Sequence, residues 1–176
     1  MTLRSHQGKQ PKLASGVFID DTAVVIGDVE LGDDVSVWPM SVIRGDVNSI
    51  RIGARTNIQD GSVLHVTHDG KYTPGGQKLT VGEDVTVGHR VILHACEIGD
   101  RCLIGMASTI MDAAVLESDI ILAAGSLVPG GKRLASGYLY KGSPVKQARL
   151  LTAEEKESLI YSAAHYVKTK NTHQGP

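Results

Sequence analysis

A six-residue period of aliphatic side chains runs through most of this chain, and few folds accept it. Stepping by six from Ile19 gives Val25, Leu31, Val37 and Ile43. The phase slips, and a second series reads Ile52, Ile58 and Leu64. After residues 68–79 a third reads Val81, Val87 and Leu93. One residue is then skipped, and the last series reads Ile98, Ile104, Ile110, Leu116, Leu122 and Val128. Every position holds Ile, Val or Leu, types that make up only 46 of the 176 residues. Four residues after most of these aliphatics stands a small or β-branched residue, as at Ala23, Val35, Val47, Thr56, Val85 and Ser108. Period six fits neither the helical repeat of about 3.6 nor simple strand alternation. It fits short strands joined by corners, three to a coil of about 18 residues, with the aliphatic side chains filling the axis. Gly directly after the aliphatic, at residues 32, 53, 82, 88, 99 and 105, is expected to make the tight corners. The fold class predicted is all-β, a parallel β-helix whose coils pair as parallel strands about 4.8 Å apart.

Composition agrees with one such domain. Aromatics are only 4% of the chain, with one Phe and one Trp, so the core is built from medium aliphatics. The formal net charge of −1 gives no bulk attraction to nucleic acid or an anionic membrane. No apolar run is long enough to span a membrane, and the N-terminus has no apolar leader. Cys96 and Cys102 are too few for a disulfide framework and read as reduced core residues. The expected compartment is the cytoplasm. The β-helix is placed at residues 13–150 and a C-terminal helical segment at 151–170. Within it, a helix over 152–168 opens on a Thr152/Glu155 capping box, with Leu159, Ile160, Ala163, Tyr166 and Val167 on one stripe. Residues 68–79 read as a loop ejected from the prism, and residues 1–12 and 170–176 as polar tails.

Four of the seven histidines lie between residues 65 and 94. His65 follows the inward Leu64 and His94 the inward Leu93. They are separated by one coil plus the ejected loop, so they should stack on one side, Cβ atoms about 5 Å apart. His89 stands two residues after the inward Val87, on the preceding side of the same coil. A third imidazole would therefore reach the stacked pair most easily from a neighbouring copy. Three imidazoles and a water form a known catalytic zinc arrangement. The ion lowers the water's pKa to about 7. Counting the slip between Ile43 and Ile58 as three residues lost puts Arg44, Asp46, Gln59 and Asp60 together just below His65. Arg44 could then pair with Asp46 and Asp60. Gln59 could hold a metal-bound hydroxide by hydrogen bond.

Arg44-Gly45-Asp46, Gln59-Asp60, His65 and His89-x4-His94, set in hexapeptide repeats, resemble the gamma-class carbonic anhydrases over roughly residues 13–150. The resemblance implies a left-handed β-helix and a homotrimer with metal sites at subunit interfaces. His65 and His94 would come from one copy and His89 from the next. It implies zinc, or ferrous iron or cobalt in its place, and hydration of carbon dioxide to bicarbonate by metal-bound hydroxide. Two positions depart from the family's pattern. Val47 stands where the archetype has Glu, and His68 where it has a second Glu on a long acidic loop that shuttles protons; His68 is therefore the expected proton carrier here. Hexapeptide trimers also include acyltransferases, which need one catalytic His as base. The same metal site could instead serve a thioesterase, or a trimeric scaffold that binds metal and turns over slowly.

Overall fold

The computed structural model describes residues 2–174. Stacked parallel coils form a three-sided β-solenoid, followed by one helix, α1 (Ala153–His173). On the first face the paired inward residues are Val25, Ile43, Leu64, Leu93, Ile110 and Val128. On the second they are Leu31, Ile52, Val81, Ile98, Leu116 and Leu134. On the third they run from Ile19 and Val37 through Ile58, Val87, Ile104 and Leu122 to Tyr140. Of the six-residue series only Ile19 is half-exposed; the others are buried. Each buried aliphatic contributes roughly 1.5–3 kcal/mol, so the axis is the main source of stability. Among the described residues no helix is long and apolar enough to cross a membrane.

The corners are built differently from the sequence expectation. The glycines that directly follow the inward residues do not have positive φ. They are required because adjacent coils approach each other too closely for a side chain. A Cβ at Gly105 would lie 2.4 Å from the Ala124 nitrogen, and one at Gly53 2.5 Å from the Gly82 carbonyl carbon. The left-handed residue comes two positions later, at Asp34, Arg55, Asp84 and Arg101, and at the equivalent place three residues after the inward Val128, at Gly131. Gly105→Ala should therefore cost about 2–3 kcal/mol by forcing two backbones apart. Gly131 has φ 69° and open space around it, so Gly131→Ala should cost about 1 kcal/mol of backbone strain alone. Thermal denaturation of the two variants checks this order.

One edge of the prism carries charges of alternating sign, one per coil. Asp34, Arg55, Asp84, Arg101 and Asp119 all take positive φ there. Arg55 Nε meets Asp84 at 2.6 Å and Arg101 Nε meets Asp119 at 2.7 Å. The ladder starts at Lys170 of α1, whose buried ammonium reaches Asp34 at 2.9 Å. Exposed pairs of this kind add little each, about 0–1 kcal/mol. Their alternation opposes slippage, since pairing a coil with its next-but-one neighbour would set Arg against Arg.

The ends of the chain are more ordered than their composition suggests. Leu3–Arg4 and Lys12–Leu13 both pair with Val24–Leu31, so the N-terminal segment starts the solenoid. Residues 170–173 continue α1; Met1, Gly175 and Pro176 lie outside the described residues. The capping box forms as expected: the Thr152 side chain accepts from the Glu155 N–H, and Glu155 accepts from the Thr152 N–H. Leu159 and Ala163 are buried on the predicted stripe, whereas Ile160 faces solvent. The helix covers the third face. Trp38 packs edge-on to Tyr166 at 5.7 Å and to His173 at 5.0 Å.

Candidate metal centre

The stacked pair forms as the repeat arithmetic requires. His94 pairs in register with His65, their rings 5.1 Å apart. His65 Nδ1 and His94 Nε2 converge to 3.1 Å. The other nitrogen of each ring is bound to a carboxylate. His65 Nε2 lies 3.0 Å from Asp46 Oδ1, and His94 Nδ1 lies 2.6 Å from Asp112 Oδ1. His89 follows the same rule, with Nδ1 2.9 Å from Asp60 Oδ2. Among the described residues, no other histidine is paired with a carboxylate. An aspartate that fixes one ring nitrogen sets the tautomer and leaves the other free to ligate.

Burial pushes His65 below its ordinary pKa, against the raising pull of Asp46, which favours the neutral ring a metal needs. Burial alone would raise Asp46, but hydrogen bonds from Arg44 and His65 hold it below the usual carboxylate range. Asp112 is held low in the same way by Thr67 and His94. Two nitrogens on a tetrahedral ion at about 2.0–2.1 Å stand roughly 3.3 Å apart, so the converging pair fits one ion. Within a single chain no three His, Cys, Asp or Glu side chains of the described residues gather as a metal group. His89 sits past the third face, away from His65 and His94 on the first.

Two placements differ from the sequence reading. Ile43 to Ile52 is nine residues, which is either two sides short by three or one side long by three. The strand Val42–Ile52 takes the second course. Gly45 pairs with Gly27, Ile50 pairs with Val29, and the extra residues bulge between them. Arg44 and Asp46 therefore belong with His65 on the first face, while Gln59 and Asp60 belong with His89 on the third. Within one chain Arg44 pairs with Asp46 and not with Asp60. The bulge also turns Val47 outward, and Ile50 takes the core position instead. His68 is exposed in the ejected loop, its imidazole beside Gly70.

Several residues around the site escaped the sequence reading. Asp112 lies one coil beyond His94, and Thr67 donates its hydroxyl to it. Counting 18 on from His94 would have found Asp112. Gln59 is buried and donates through Nε2 to Asn57 Oδ1 at 3.0 Å. Asn57 donates to Thr86 Oγ1 at 3.1 Å, and the Thr86 and Ser162 hydroxyls meet at 3.0 Å. This chain of hydrogen bonds ties Gln59 to α1. Beside it, a groove of about 430 Å³ lies between α1 and the third face, lined by Gln59, His89, Leu103, Met106, Ser162 and Tyr166. Tyr166, whose phenol is pushed up by burial, lines this groove. Tyr138 and Tyr140 pack on each other at the last coil of the solenoid. Burial raises both thiols, Cys102 to about 12, so neither is reactive near neutral pH.

Residues 11–45 match the family described as bacterial transferase hexapeptide (six repeats). Protein YrdA of Escherichia coli K12 is 60% identical over 169 residues, covering 96% of this chain and 92% of that protein. Gamma carbonic anhydrase 2, mitochondrial, of Arabidopsis thaliana is 39% identical over 98% of this chain and 62% of its own length. A hexapeptide transferase family protein from Anaplasma phagocytophilum, of solved structure, superposes with a TM-score of 0.89. It is 42% identical, with 97% of each chain covered.

Proposed function

The chain belongs to the hexapeptide-repeat family that includes the gamma carbonic anhydrases, and on that premise we propose that it is a metal-dependent enzyme hydrating carbon dioxide to bicarbonate. The observation that carries the proposal is the shared construction of His65, His89 and His94, each fixed by one aspartate, with the remaining nitrogens of His65 and His94 turned toward each other. His65 and His94 of one copy and His89 of the next would hold the ion. Zinc is the first choice for a three-imidazole set, and ferrous iron or cobalt would be accepted by the same donors. The ion supplies Lewis acidity, bringing the pKa of a water molecule to about 7.

The chain's own residues do the rest. Asp46, Asp112 and Asp60 hold the ring tautomers. Gln59, its amide nitrogen committed to Asn57, presents the remaining part of its carboxamide to the attacking water. Arg44 keeps Asp46 ionised and in place. His68 takes the released proton on its exposed imidazole and passes it to buffer, a role left open by the absence of a Glu there. Hexapeptide β-solenoids of this family commonly form trimers. The first face suits that assembly here, because Val63 and Ile92, adjacent in register, leave 41% and 44% of their surface exposed on its outer side.

An acyl thioester as substrate is the second reading, and the apolar groove that reaches His89 favours it, since carbon dioxide needs no such volume. The test is hydration by the purified trimer, metal-loaded and kept free of oxygen. A rate well above buffer supports carbon dioxide as substrate. Thioester hydrolysis without hydration would replace it.

A further inference from the structure

The charges of this chain are unevenly distributed along the solenoid. Between Asp119 and Glu154 there are five basic residues, Lys132, Arg133, Lys141, Lys146 and Arg149, and no acidic one. This stretch forms the last coil and the hairpin that closes it. Arg133 is held by Glu117 and Arg149 by Glu155. Lys132, Lys141 and Lys146 are exposed, and among the described residues none has a carboxylate partner. The chain as a whole has a formal net charge of −1, so this end is basic against the general balance.

The same end carries an unfinished sheet. The strand Lys146–Leu150 pairs antiparallel with Tyr138–Lys141 on one side and is the edge of its eight-stranded sheet on the other. All five of its residues are exposed. Between this strand and the last coil lies a cavity of about 320 Å³, with Leu134, Tyr140 and Val145 as its floor and Lys132, Arg133 and Lys146 around it. An edge strand offers unpaired N–H and C=O groups in strand register. Those groups match a polypeptide backbone; a phosphate lattice has no counterpart for them. The basic rim matches acidic side chains, and the apolar floor matches alternate apolar ones.

We propose that the C-terminal end of the solenoid binds an extended acidic segment of a partner protein, added as a strand along Lys146–Leu150. Lysines on an edge also prevent like chains from pairing, because their charges repel. An acidic strand meets the opposite sign, so the same residues exclude self-association and admit this partner. The surface lies at the end of the coil axis, apart from the metal centre, and the proposal does not depend on catalysis.

The test uses the full chain and a fluorescein-labelled nine-residue peptide with Glu at alternate positions and Val or Thr between. Fluorescence anisotropy at low salt should show saturable binding. The Lys132→Glu/Lys146→Glu double variant, both positions exposed, should weaken it about tenfold or more. A peptide with Pro at its centre should bind at least about fivefold more weakly, because it cannot complete the ladder. Equal affinity for the Pro peptide would overturn strand addition. Unchanged binding by the double variant would overturn the site. Tighter binding to duplex DNA or phosphatidylserine vesicles at matched salt would overturn the choice of partner.

Discussion

Replacing His94 by alanine should reduce bound metal from about one ion per chain to near zero and bring carbon dioxide hydration down to the buffer rate. The expectation rests on three features. His94 Nε2 is one of two ring nitrogens that converge to 3.1 Å. Its other nitrogen is fixed by Asp112, so its orientation is set before any ion arrives. A zinc site of this kind ordinarily holds three protein ligands and a water, and His94→Ala would leave it two imidazoles. Asp112→Asn should act more mildly, weakening metal affinity about 10–100-fold while the ligand remains. Elemental analysis after dialysis separates the two variants. Full metal retention by His94→Ala would remove the ion from this site. Because the His94 side chain is 37% exposed, thermal stability should change little.

Ile110→Ala should lower stability by about 2–5 kcal/mol. Ile110 is fully buried on the axis, stacked between Leu93 and Val128 of adjoining coils. Neighbouring coils are held by backbone ladders above and below, so they cannot close on the space left behind. For a chain of this size the melting temperature should fall by roughly 5–15 °C. A drop under about 2 °C would mean that the axis is loosely packed and that the corner ladder holds more of the fold than proposed.

The solenoid was legible because each coil repeats the same demand for one inward aliphatic per side. The His65–His94 stack was legible for the same reason, since the ejected loop adds length without changing sides. Position failed where the period became ambiguous. Nine residues between Ile43 and Ile52 permit either a loss or a gain of three, and only the bulge in Val42–Ile52 decides it. That one choice moved Arg44 and Asp46 away from Gln59 and Asp60. The strand at Leu3–Arg4 was hidden because a two-residue strand has no period of its own. Ser162 and Tyr166 were hidden for another reason. The sequence marks α1 through its cap and stripe, but the side of the prism it covers depends on tertiary packing. The glycine corners were misjudged because a tight turn and a close approach of two coils place the same residue in the sequence.

The central claim is that one metal site is completed by two copies of the chain, and mixed trimers test it most directly. His89→Ala and His94→Ala chains, unfolded together and refolded in equal amounts, each lack one ligand. If His89 serves the neighbour's His65 and His94, random assembly pairs an intact donor on both sides of about a quarter of the interfaces. Metal content should then recover to about a quarter of the wild-type value, while either variant alone holds none. No recovery in trimers shown to contain both chains would contradict a shared site.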